Sequence, residues 1–269
     1  MKLVLLKSGA KDALLTTTSN YRDVIAESQM AESRIVSMTA MPGSKEGRAQ
    51  KVVMLNAMGQ MVEGVAKDHV EKDMRKGNIP PYTEWRRERL AYLVSQIVGL
   101  CNVPAVVVRR IDGQIGSVMM LVPGDTWRAS GLEFDDINTK EWQKLAVLDW
   151  IICDTDRHRR NWIVDDERRF WAIDNDLSFP EKTQWGPFEG YRSRPHWYLS
   201  ENNDLALADD IARLFTSIKK RDILVQMVKF GIGQMGRAIF SARWDYIVAN
   251  KALPTYVESE KGFMQPMGE

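Results

Sequence analysis

The segment "DTDRHRRNWIVDDERRFWAIDNDLSFP", residues 154–180, threads Asp154, Asp156, Asn161, Asp174 and Asp176 between the apolar runs "NWIV" and "FWAI". A carboxylate beside a core is costly unless a cation pairs with it, and a metal ion is one such partner. The two runs read as short strands joined by the polar turn "DDER", so the segment predicts a hairpin with Asn161 and Asp174 at its outer ends. That geometry brings an amide oxygen and a carboxylate together, a ligand set that suits Mg²⁺. Asp156, on the loop beside them, is a candidate to accept a proton or to orient a hydroxyl. The preceding stretch "NTKEWQKLAVLDWIICD" predicts a helix with Trp142, Leu145, Leu148, Ile151 and Ile152 inward. Asp149 on that helix reads as a buried acceptor for the loop, Arg157 and His158 as residues that hold it, and Trp162 and Trp171 as core packing.

Upstream, "RIVSMTAM", "KVVML" and "MVEGVAK" are three short runs separated by Gly- and Asn-containing segments, the pattern of an antiparallel meander. "TEWRRERLAYLVSQIVGL" predicts a helix with Thr83 as N-cap, Leu90, Leu93, Val94 and Ile97 on one face, and Gly99 as the stop. "VPAVVVRR" and "IGSVMMLVP" form a further hairpin around Asp112-Gly113. Lys67 ends a strand and Glu88 sits early on the helix; a lysine held by a helix carboxylate grips nucleotide phosphates. Residues 1–32 show little periodicity. Beyond Asn203 the pattern predicts three helices, "DLALADDIARLFTSIKK", "RDILVQMVKFG" and "GQMGRAIFSARWDYIVAN", then a loose tail from Leu253. The expected fold is α+β and two-lobed. An antiparallel-sheet N-lobe with one helix spans residues 1–122, and a mainly helical C-lobe with the catalytic hairpin spans 123–269, with Pro123-Gly124 at the joint.

The rest of the chain excludes several classes. A net charge of +1 over 269 residues supplies no field for nucleic acid or a membrane surface. No apolar run approaches the ~20 residues of a transmembrane helix. "MKLVLLKSGAKD" is too short in its apolar part for a secretory signal. Cys101 and Cys153 lie in apolar surroundings and read as thiols of a reducing compartment, so a cytoplasmic location is expected.

The catalytic segment resembles that of the phosphatidylinositol 3-/4-kinase superfamily. The likeness lies in "D-x-D-R-H-x-x-N" from Asp154 to Asn161, followed by "I-D-N-x-L-x-F-P" from Ile173, and is greatest to the type II phosphatidylinositol 4-kinases and their small bacterial relatives. "RERLAYLVSQIVGLCNVPAVVVRR" is similar to the family's helix and following strand, and the resemblance runs over residues 50–180. The spacing of Asp156, Asn161 and Asp174 also matches the protein-kinase order of catalytic Asp, metal-binding Asn and metal-binding Asp. The resemblance implies an ATP- and Mg²⁺-dependent kinase acting on a hydroxyl. Lys67 would hold the α/β-phosphates and pair with Glu88, Asp156 would orient or deprotonate the acceptor, and Asn161 and Asp174 would bind Mg²⁺. Gly43 and Ser44 in "MPGSKEGRAQ" would cover the phosphates, and Met120, Leu121 and Val122 would meet adenine.

Two departures stand out. Relatives carry Gly where this chain has Asp176, and the phosphate-covering loop is longer and more basic than the family pattern. The acceptor is left open between a protein, a small molecule and a phosphoinositide. A nucleotide-binding pseudokinase and an AMP-transferring enzyme on the same fold are alternatives; a metal-dependent hydrolase would leave Lys67 and Glu88 unexplained.

Overall fold

A computed structural model of the chain describes residues 4–5, 14–15, 21–41, 49–67, 79–80, 83–181 and 191–256. A two-residue pair, β1 (Val4–Leu5) with β2 (Leu14–Leu15), precedes helix α1 (Tyr21–Glu32). The meander follows as β3 (Arg34–Ala40), β4 (Ala49–Leu55) and β5 (Met61–Lys67), then helix α2 (Glu84–Val98) and the hairpin β6 (Val106–Ile111) and β7 (Gln114–Met120). These strands form one antiparallel sheet in the order β3-β4-β5-β7-β6. Its alternating residues Val52, Met54, Ala66 and Val118 point into the core, as period-2 strands require. The tight turn places Asp112 (φ 47°) and Gly113 (φ 85°) both in the left-handed region, the geometry that makes Asp-Gly a hairpin signal.

The helical lobe begins with β8 (Asp125–Thr126) and the short α3 (Trp127–Ser130). It continues through α4 (Thr139–Ile152), β9 (Trp162–Val164) and β10 (Phe170–Ala172). Helices α5 (Arg194–Glu201), α6 (Asp209–Ser217), α7 (Lys220–Lys229) and α8 (Gln234–Asn250) complete it. The expected hairpin is β9–β10, pairing Ala172 with Trp162 and Phe170 with Val164. β8 adds a third strand against β9 that the sequence reading did not include. Gly124 makes that approach possible: its φ is 124°, and a Cβ there would stand 2.2 Å from the Val164 carbonyl oxygen. Trp162 and Phe170 face inward, where Trp142 meets Phe170 edge-on at 4.5 Å between ring centres and Trp162 at 6.4 Å. This aromatic cluster seats the hairpin rigidly on α4.

Several expectations are corrected. Trp171 does not pack in the core: it sits on the opposite face of β10 from Trp162 and donates its indole N–H to Asp165 at 2.9 Å. Thr83 precedes α2 but does not cap it; its hydroxyl donates to the Pro80 carbonyl and accepts from Arg87. Residues 21–32 are helical, because α1 is anchored by Glu27, which accepts from Arg89 and from the Tyr92 hydroxyl. α5 was not foreseen. The first C-terminal helix starts at Asp209 because Leu205 and Leu207 are instead paired by backbone bonds with Leu253 and Lys251. Leu253 is therefore buried rather than loose, and the Pro254 carbonyl meets His196 Nε2 at 2.7 Å.

Candidate active site

The site assembles where the sheet, α2 and the β9–β10 hairpin meet. Lys67 is the last residue of β5, and Glu88 lies in the second turn of α2, buried on all sides. The Lys67 ammonium donates to Glu88 Oε1 and to Asp174 Oδ1, and stands 3.7 Å from Asp176 Oδ2. The neighbouring Arg89 is engaged elsewhere, with Glu27 and the Val106 carbonyl. Burial would lower the Lys67 pKa, but the carboxylates of Asp174, Glu88 and Asp176 overcome it and hold the ammonium well above its ordinary value. Asp174 shows the reciprocal effect. Burial pushes its carboxyl up, yet Lys67 and the more distant Arg157 pull it below the ordinary range. Asp176, further from the ammonium and facing two other carboxylates, is pushed by burial up to about 8.

Backbone geometry delivers these groups. The Ile173 amide donates to the Asn161 carbonyl at 3.0 Å and closes the hairpin, so Asp174 leaves it beside Asn161. Asp174 adopts φ 60°, a left-handed conformation that Asp tolerates better than most residues and that turns the chain toward Lys67. The Asn161 amide nitrogen donates to the Asp156 carbonyl at 2.9 Å, so its oxygen is the end left to accept a cation. The Asp156 backbone is fixed in turn by Asp154, whose Oδ1 accepts the Asp156 amide at 2.8 Å.

Beneath the loop, Arg157 is fully buried and every guanidinium nitrogen is engaged. Nε donates to Asp149 at 2.8 Å; Nη1 donates to the Asn161 and Ile173 carbonyls, both at 2.6 Å; Nη2 donates to Asp154 at 3.1 Å and Asn175 at 2.6 Å. Asp149 also accepts the Ser193 hydroxyl at 2.7 Å. One guanidinium thus ties α4, the Asp156 loop and both ends of the hairpin into one unit. Asn175 and Ser193 belong to that unit; the sequence reading quoted Asn175 within its I-D-N segment without giving it a role, and Ser193 falls in no pattern that marks it.

Gly43 and Ser44 lie outside the described residues. At the chain crossing between lobes, the Met120 amide donates to Ala105 at 2.7 Å and the Leu121 amide to Glu63 at 3.1 Å. Both amides are spent on the sheet, and Val122, next in the chain, is buried. The donor set at the far end fits a hard divalent cation: carboxylate and amide oxygens, with Glu88 Oε2 buried and lacking a hydrogen-bond partner. Glu88, Asp174 and Asp176 each place one oxygen within 4.8 Å of the others.

Residues 125–226 match the family model of phosphatidylinositol 3- and 4-kinases. No curated protein gives a significant match. Among solved structures, the proinflammatory kinase CtkA of Helicobacter pylori aligns with a TM-score of 0.50 and 9% identity over 81% of this chain and 92% of that one. The golgi casein kinase aligns with a TM-score of 0.50 and 12% identity over 81% of this chain and 72% of that one. Such identities show the fold alone. The chain has a two-lobed kinase fold, and the resemblance to the phosphatidylinositol 3-/4-kinase-like superfamily is shown in its catalytic segment.

Proposed function

We propose that the protein is a phosphotransferase that uses ATP and Mg²⁺ to phosphorylate a hydroxyl group. The observation that carries this reading is Lys67, held in one cluster by Glu88 of α2 and Asp174 of the hairpin. A partly buried lysine bound by carboxylates at the meeting point of a sheet, a helix and a loop preorganised by Arg157 is the arrangement a phosphate grip needs. Asn161 and Asp174 would hold Mg²⁺, which when bound neutralises phosphate charge and orients the γ-phosphoryl group. Lys67 would turn from Asp174 to the α/β-phosphates while Glu88 keeps it in place. The Val122 amide would receive the adenine ring, with Met120 and Leu121 lining the edge of that pocket. Asp156 would accept the proton of the acceptor hydroxyl as its oxygen bonds to the γ-phosphorus. The bond from that phosphorus to the β,γ-bridging oxygen breaks, and the electron pair leaves on ADP. The fixed loop supplies positioning and charge, which is most of what phosphoryl transfer demands. The acceptor is a protein, a small molecule or a phosphoinositide.

The test is thermal unfolding with and without ATP and Mg²⁺. A ligand that binds only the folded state at ~100 times its Kd adds about 2.7 kcal/mol. Wild type is expected to shift upward, Asp174→Ala to lose the shift, and Asp156→Ala to keep it while losing transfer of label from γ-labelled ATP. Retention of label from α-labelled ATP instead would mean AMP transfer, and no shift at millimolar ATP would remove nucleotide from the account.

A further inference from the structure

Three carboxylates share one ammonium. Glu88, Asp174 and Asp176 bring their oxygens within 4.8 Å of one another, and Lys67 is the lysine set among them. The lysine uses Glu88 Oε1 and Asp174 Oδ1, while Glu88 Oε2 stays buried with no hydrogen-bond partner, its side chain 1% exposed. An acceptor sealed from water without a donor costs free energy comparable to a lost hydrogen bond, so its persistence points to a partner that arrives from outside. Asp174 and Asp176, 42% and 19% exposed, give the cluster an opening to solvent. A small divalent ion answers these features: it gives the stranded Glu88 oxygen a partner, prefers carboxylate oxygens and can enter on the exposed side of the cluster.

We propose that Asp174, Asp176 and Glu88 Oε2 form a divalent-cation site that fills before nucleotide arrives. A cation on Asp174 weakens that residue's hold on Lys67, which becomes available to phosphates while Glu88 Oε1 keeps it in position. Metal would thus bind first and prepare the phosphate grip, an order that Asp176 adds to the phosphotransfer reading on which the inference rests.

The experiment is Mn²⁺ binding to the full chain, followed by the loss of the free-ion electron paramagnetic resonance signal, with and without ATP. Wild type is expected to bind one Mn²⁺ saturably without nucleotide. Asp176→Gly and the near-isosteric Asp176→Asn are expected to bind it at least tenfold more weakly. Thermal unfolding without metal establishes that both variants fold. No saturable binding to nucleotide-free wild type, or unchanged affinity in both folded variants, overturns the site. If Mn²⁺ binds only together with ATP, in wild type and variants alike, the phosphotransfer reading stands and this inference falls. If nucleotide-free binding depends on Asp176 while ATP changes nothing, the cation site stands and the phosphotransfer reading falls.

Discussion

Asp154 shares one guanidinium with Asp149, and both are sealed from solvent. Burial pushes the Asp154 carboxyl up to about 7, against the pull of Arg157, with Asp149 adding to the rise. In the unfolded chain an aspartate titrates near 3.9. Below about pH 4 both states are protonated; between there and about 7 the folded state holds a proton that the unfolded chain has released, so stability falls as pH rises through that window. Asp154→Asn has no such proton to lose. Urea unfolding at pH 5 and pH 8 is expected to show wild type losing more stability between the two values than the variant, so that the difference between the two proteins narrows at pH 8. A difference that stays constant or widens would mean that Asp154 is ionised throughout. Much of this site was legible in the sequence: the spacing of Asp156, Asn161 and Asp174, with Asp149 as an acceptor beneath, needs only a hairpin after a helix. The partners of Arg157 were not, because five bonds to four separate stretches of chain leave no periodic trace.

At the level of elements, α2 carries Glu88 and is itself anchored in the helical lobe. Arg87 donates to Thr83 Oγ1 at 2.7 Å, and to the Phe179 carbonyl and Glu181 Oε1, both at 3.3 Å. Glu181 accepts the Gly233 amide with both oxygens, at 2.9 and 2.8 Å, so one carboxylate joins the end of the catalytic segment, α2 and the start of α8. A Cβ on Gly233 would stand 2.3 Å from Glu181 Oε2. Gly233→Ala must therefore displace that carboxylate, leaving a buried arginine without its anion and an amide without its acceptor. The expected cost is about 1–3 kcal/mol in urea unfolding. A change below about 0.5 kcal/mol, typical of substitutions away from such features, would show that Glu181 yields freely and does not hold α2. Elements with strong periodicity were read directly: the meander, α2, α4 and α8. α1 escaped because a buried ion pair 62 residues away in sequence, Arg89 to Glu27, anchors it rather than a clear apolar stripe. α5 did carry a start signal, Ser193 accepting the His196 amide with Pro195 in the first turn, but an Arg-Pro sequence reads first as loop.

In the whole molecule, α2 is the element shared between lobes. All of its residues except Trp85 and Arg86 are buried, a pattern that suits a helix enclosed by structure rather than one lying on a surface. The sheet covers one side of it, with Arg89 donating to the Val106 carbonyl of β6. α4 and α7 cover the other side, and the loop after α2 is tied in as well, its Asn102 carbonyl accepting the Ala172 amide of β10 at 2.7 Å. The sheet therefore cannot shed its cover without exposing the core of the helical lobe, and the two lobes are expected to unfold together. Among the described residues, Trp85 lies on α2 and every other tryptophan in the helical lobe, so their emission reports those two parts of the molecule. Amide exchange in peptides covering residues 49–67 reports β4 and β5. Followed through urea, the two probes are expected to give coincident midpoints, the mark of a single cooperative transition. Sheet peptides that exchange freely at urea concentrations where tryptophan emission is still native would show that α2 stays with the helical lobe when the sheet departs. Lys67 would then meet Glu88 only while the lobes are closed, and the phosphate grip would be assembled by lobe closure rather than built into the fold.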